Sequence, residues 1–165
     1  TELQKLCAQD WSSRRAVLFL DPFGMQVEWR TVEAVARTKA IDLWYLFPLV
    51  MGVVRLLRAG GDLPPAWERS LERTLPAGWR SKLYRRASGQ TLFDIGADLV
   101  PAGMKEIAEY LVRELRSVFP GVAPEPGLLK NSQNSPLYLF CFAASNAKGA
   151  GPALRIANHL LRELG

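Results

Sequence analysis

The sequence predicts an α/β fold, a mainly parallel sheet flanked by helices. Three observations carry that reading. Two short apolar runs, 16–20 and 42–47, are almost continuously hydrophobic, as strands buried on both faces are. A segment with helical periodicity lies between them, which is the order of a strand-helix-strand unit. A third apolar run, 137–143, leads through a glycine-containing loop into a final helix. At 165 residues and 48% hydrophobic content, positions 1–165 suit a single compact domain with a sizeable core.

The elements follow in order. Positions 3–9 read as the end of a helix, with Leu3, Leu6 and Cys7 on one side. After the first strand, a helix is expected over 31–38, with Val32, Val35 and Ala36 as its apolar stripe and Thr31 as its N-cap. The second strand is apolar after Asp42 and ends at Pro48, and a helix is expected over 49–57. Glycines and prolines from Gly60 to Pro101 punctuate 59–101, which reads as an irregular insertion or lid beside the sheet. Within it, 65–75 fits a short helix with Pro65 in its first turn, whereas Asp94 and Asp98 flank Gly96 and read as a solvated loop. Over 104–119 the apolar positions hold the i, i+3, i+4 pattern throughout, and Pro120-Gly121 stop the helix. The loop 122–136 has room for one short strand near Leu128 and Leu129.

Composition narrows the function classes. No apolar run approaches the ~20 residues that span a bilayer, and 43–57 is broken by Pro48, Gly52 and Arg55. The first residues are polar and do not read as a signal peptide, and Thr1 in place of Met suggests a longer natural chain. Cys7 and Cys141 fit neither a zinc spacing nor a disulfide framework, so they read as reduced packing residues of a cytoplasmic protein. The sole histidine, His159, stands among Arg155, Asn158 and Arg162 and reads as a surface residue. Mechanisms built on a His-paired nucleophile or a His-rich metal site therefore lack their parts, and no metal ligands are assigned.

Charge is concentrated. From Arg55 to Arg86 there are eight bases against three acids, an excess equal to the whole formal charge of +5. Trp67, Trp79 and Tyr84 are interleaved with them. Arginine with aromatics is the chemistry of phosphate contact and base stacking, which marks Arg69, Arg73, Arg80, Lys82, Arg85 and Arg86 as candidate nucleic-acid ligands. A solvated surface held by ion pairs along helices explains the same composition.

The stretch Ala16-Val-Leu-Phe-Leu-Asp21-Pro22-Phe23-Gly24 carries the strongest site signal. It is a strand that ends abruptly in an acid and turn residues, and open α/β sheets bind ligands beyond the carboxyl ends of their strands. An ordinary strand exit with a solvated aspartate accounts for it equally. Near the other terminus, Gly149-Ala-Gly151 between a strand and a helix lacks both the third glycine of a dinucleotide fingerprint and the order of a phosphate-binding loop. Asn146 and Lys148 in that loop are candidate substrate contacts.

The blocks Leu18-Phe-Leu-Asp21-Pro22-Phe23-Gly24, Trp29, Thr31 and Asp42-Leu-Trp-Tyr-Leu-Phe47-Pro48, with Leu139-Phe-Cys-Phe-Ala-Ala-Ser-Asn146-Ala-Lys148-Gly149, resemble the three-Cys-motif partner protein family. The resemblance implies a Rossmann-like fold of the S-adenosylmethionine-dependent methyltransferase type, seen here as its C-terminal portion and incomplete at the N-terminus. It also implies a phage-type or radical-enzyme-like partner protein. Asp21-Pro22-Phe23-Gly24 would then correspond to the motif after a strand in amino methyltransferases, an acid or amide followed by two prolines and an aromatic. Asp21 and Pro22 match by position; Phe23 stands in place of the second proline and Gly24 in place of the aromatic. The glycine-rich loop that binds S-adenosylmethionine in that fold has no counterpart in this sequence.

On this reading the chain is a methyltransferase-like protein acting on or near nucleic acid with a partner protein. Asp21, Pro22 and Phe23 would form the catalytic set, with Asp21 orienting an amine or water and Phe23 stacking on a base or an adenine. Gly24, Trp29, Asn146 and Lys148 would contact substrate, and Trp44 is a further pocket candidate. The alternative is a non-catalytic nucleic-acid-binding or partner-docking module that keeps the fold alone.

Overall fold

The structure is a computed structural model that describes residues 1–86 and 99–164. Asp94 and Asp98 lie outside the described residues. The main sheet has five strands: β1 (Ala16–Leu20), β2 (Ile41–Phe47), β5 (Gly121–Val122), β6 (Gly127–Lys130) and β7 (Pro136–Ala144). A separate antiparallel pair joins β3 (Tyr84–Arg86) to β4 (Leu99–Pro101). The helices are α1 (Glu2–Cys7), α2 (Trp29–Arg37), α3 (Pro65–Thr74), α4 (Trp79–Leu83), α5 (Met104–Val118) and α6 (Ala150–Arg162). None of the described helices is long and apolar enough to cross a membrane.

The fold is α/β, but its sheet is mixed. β1 and β2 are parallel, as a strand-helix-strand unit through α2 requires. β7 then lies antiparallel to β2, pairing Leu43 with Ala143 and Phe47 with Leu139. On its other edge β7 holds β6 and β5, both antiparallel. The expectation of a mainly parallel sheet is therefore corrected to one parallel pair. The cause is local: the stretch 119–135 between α5 and β7 holds two short strands, β5 and β6, and no helix, and β6 turns directly back into β7 as a hairpin. Asn131 accepts from the backbone N–H groups of Gln133 and Ser135 at 3.0 and 2.9 Å, which closes the β6–β7 turn.

The two sheet faces are covered unequally. Ile41, Leu43, Tyr45 and Phe47 point alternately to one face, where they join Leu139 and Cys141 in the main core. Val32 and Val35 of α2 and Ile107, Leu111 and Leu115 of α5 close that face. Of the segment 59–101, expected as an insertion or lid, the part 59–86 packs into the same core through Leu63, Leu71, Leu75, Trp79 and Leu83. On the opposite face α6 covers Phe142 and Ala144 with Ala157 and Leu161. It leaves Val17 and Phe19 of β1 68% and 57% exposed.

Two boundaries differ from expectation for physical reasons. α2 starts at Trp29 with Glu28 as its cap, so Thr31 is no N-cap. It is buried within the helix, and its hydroxyl accepts from the Gln4 side chain at 2.9 Å, which ties α1 to α2. After Pro48 the chain makes a wider π-type turn over Leu49–Val54, in which the Val53 N–H reaches back five residues to the Pro48 carbonyl at 3.1 Å. Gly52 allows the turn to press against Met25: a β-carbon there would stand 2.9 Å from the Met25 side chain.

The hydroxyls of Tyr45 and Tyr110 are buried with no hydrogen-bond partner among the described residues. Burial pushes the Tyr45 phenol well above its ordinary pKa. An unpaired buried hydroxyl costs about 1–3 kcal/mol, so Tyr45→Phe is expected to stabilise the fold, by about 1 kcal/mol, with a melting temperature higher by about 2–4 °C. A lower melting temperature in calorimetry would show that this hydroxyl is satisfied.

Candidate functional site

Asp21 leaves the carboxyl end of β1, the end where open sheets bind ligands. The turn that follows is fixed by alternating burial. Pro22 is buried, Gly24 takes a φ of +62° that favours glycine, and Met25 packs against Gly52. Thr74 of α3 donates its hydroxyl to the Met25 carbonyl at 3.1 Å, which docks the turn on α3. Between these anchors Asp21 is exposed and Phe23 is 86% exposed. Burying a phenylalanine is worth roughly 1.5–3 kcal/mol, so a rigid turn that holds Phe23 out forgoes that contribution.

Arg69 and Arg73 belong to α3, the helix on which this turn docks. They sit one helical turn apart on α3 and, with Glu28 and Glu72, line a depression of about 590 Å³. Arg30 beside Glu28 holds its carboxyl below the usual carboxylate range, so Glu28 is an anion at neutral pH. The depression is thus electrostatically mixed, with Arg69, Arg73 and Glu72 on the α3 side and Glu28, before α2, on the other.

The basic segment divides into two groups. Arg80 donates to the Glu68 carboxylate and to the Gly61 carbonyl, and Arg85 donates to the Glu106 carboxylate. Glu106 also caps α5 by accepting from the Gly103 N–H at 2.7 Å, and that bond first, then Arg85, keeps its carboxyl low. Arg69, Arg73, Lys82 and Arg86 are exposed and form no ion pair among the described residues. Arg58, not singled out from the sequence as a ligand, lies over the Trp67 ring at 4.2 Å. The spacing of nine residues between them gives no helical or strand signal by which the stack could be read in advance.

Other expected site residues fall elsewhere. Trp29 is buried in the main core at the start of α2. Trp44 lies on the opposite face, stacked on Phe140 with centroids 4.8 Å apart. Asn146 and Lys148 do not share a site with Asp21. β7 runs antiparallel, so its exit loop opens at the amino end of β2, where Ser145 donates its N–H to the Asp42 carboxylate at 2.8 Å. Five residues of strand, roughly 16 Å, separate that level from Asp21. Asn146 there caps its own loop, accepting from the Lys148 N–H at 3.1 Å. Among the described residues no three His, Cys, Asp or Glu side chains gather as metal ligands would.

Because Arg80 binds two partners within its own domain, Arg80→Ala is expected to cost about 1 kcal/mol of stability. Arg73→Ala, with no such partners, should stay within about 0.5 kcal/mol of the parent. Urea unfolding of both variants checks this, and equal midpoints would remove the distinction between the two groups of bases.

Against known protein families, curated proteins and solved structures, the chain finds no match.

Proposed function

We propose that the chain is the substrate-side part of a methyltransferase-like protein that acts on or near nucleic acid with a partner protein. The observation that carries this reading is the turn at Asp21-Pro22-Phe23-Gly24. It leaves the carboxyl end of a parallel strand, exposes a carboxylate and an aromatic ring, and is docked on the helix that bears Arg69 and Arg73. Asp21 orients a target amine or a water, Phe23 stacks on a base, and the two arginines contact phosphate. Lys82 and Arg86 extend the cationic surface, whereas Arg80 and Arg85 serve mainly to hold the segment together.

The described residues do not themselves fit S-adenosylmethionine. The glycine-containing loop between β7 and α6, at Gly149, opens at the end of the sheet away from Asp21. No chemical step through the cofactor is assigned to these residues. On this reading its binding elements lie on a strand added to the edge of β1 that is unpaired among the described residues, next to the exposed Val17 and Phe19. The second reading, a docking or nucleic-acid-binding module without catalysis, is favoured by the one-place shift of the aromatic to Phe23.

Calorimetry with S-adenosylmethionine tests the proposal on this chain and on a longer natural chain containing it. Binding by the longer chain alone is expected; no binding by either, up to about millimolar ligand, moves the assignment to the non-catalytic module. In the binding-competent protein, Asp21→Ala should abolish modification of nucleic acid and leave its binding intact.

Nucleic-acid affinity should also fall with salt. Charge reversal of Arg69 and Arg73 together is expected to reduce the slope of log affinity against log salt by about 2. A slope unchanged by the double reversal would exclude these arginines from the interface.

A further inference from the structure

One flank of the polar side of α5 borders a cavity. The cavity measures about 820 Å³. That lies within the roughly 300–1,000 Å³ of small-molecule sites. Its floor is apolar: Ala108 and Val112 from α5, Leu49 from the π-type turn, Leu128 from β6 and Leu139 from β7. Pro124 and Pro126 of the β5–β6 loop form the facing wall, and their fixed φ angles hold that wall apart from the helix. From Met104 to Arg116 the groove follows α5 for about 18 Å.

The rim is charged and asymmetric. Lys105, Arg113 and Arg116 border it, against Glu109 and Glu125. Among the described residues none of these three cations forms an ion pair. Arg113 and Arg116 lie one turn apart at the C-terminal half of α5, so both guanidinium groups reach one end of the groove.

We propose that this groove binds an anionic amphiphile, a long-chain carboxylate or phosphate monoester. The alkyl chain lies along Ala108, Val112, Leu128 and Leu139, and the head group rests on Arg113 and Arg116. An elongated apolar floor selects an extended chain. Guanidinium groups at one end supply the forked donors that carboxylate and phosphate oxygens accept. The site is separate from the Asp21 turn and does not depend on the methyltransferase-like reading.

The test is a fluorescence titration of the chain with dansyl-labelled undecanoic acid, displaced in turn by laurate, dodecyl phosphate and dodecanol. Saturable binding is expected, with the two anions displacing at least ~10-fold better than the alcohol. The better of the two anions identifies the head group as carboxylate or phosphate. Ala108→Trp and Leu128→Trp fill the floor from opposite walls, and either is expected to abolish binding while melting cooperatively. If one fails to fold, the other carries the comparison. Arg113→Glu with Arg116→Glu should weaken the anions and leave dodecanol unchanged. An absence of saturable binding, displacement by dodecanol as effective as by laurate, or full binding by a folded floor-filling variant would overturn the proposal.

Discussion

The antiparallel pairing of β7 against β2 is the constraint on which the rest of this structure depends. β7 pairs with three strands, β2 on one edge and β6 and β5 on the other. Its register against β2 places Cys141 beside Tyr45 and Ala143 beside Leu43, which completes the core face under α5. The same pairing sends Phe140 and Phe142 to the other face, where they meet Trp44 and give α6 a surface to cover. A slip of one residue would exchange these two sets and expose the core to water. Asp42 and Ser145 guard against it. The Asp42 carboxylate accepts the Ser145 N–H, and the Ser145 hydroxyl donates to the Ile41 carbonyl, so the end of β7 is locked to the start of β2.

That direction of β7 also separates the candidate site residues. Strand exits from β1 and β2 lie at one end, with the Asp21 turn, the π-type turn and α3. The β7 exit, with Asn146 and Lys148, lies at the other. A linear sequence gives no measure of strand direction for the last strand, because an apolar run reads the same in either orientation. The hairpin signal was nevertheless present: Gly127, Asn131, Asn134 and Pro136 are turn and strand-start residues closely spaced before β7. Taken together they favour a β6–β7 hairpin, and a hairpin forces β7 to oppose β6 rather than cross over to it.

Most elements were legible because their signals are local. β1 matches its apolar run residue for residue, α5 matches its heptad-like stripe to within one residue, and α3 begins at the proline expected in its first turn. The helix cap at Thr31 misled because a buried hydroxyl with a tertiary partner, here Gln4, looks the same in sequence as a capping hydroxyl. Trp29 misled for a related reason: a large aromatic beside a candidate motif serves either pocket or core, and only the helix start at Trp29 sends it inward. At the site, composition identified the basic segment but not its partition. Whether an arginine is free or tied down depends on acids distant in sequence, such as Glu106 for Arg85, 21 positions away.

The uneven coverage of the sheet bears directly on how the Asp21 turn would work. A parallel edge strand composed only of apolar residues is a poor terminus for a sheet; among the described residues β1 is one, with an unpaired backbone edge and, in Val17 and Phe19, exposed side chains. Natural edges are blunted by charge, proline or bulges, and β1 has none of these within its five residues. Its neighbour Asp21 lies at the carboxyl end of this same edge. A strand that paired with β1 would therefore do two things at once: cover the exposed ring of Phe19 and raise a wall beside Asp21 and Phe23. The crevice between two strands at their carboxyl ends is where α/β sheets hold ligands, and at β1 only one side of that crevice is supplied by the described residues. On the reading proposed here, the stability of the edge and the completion of the site are one requirement, met by the same added strand.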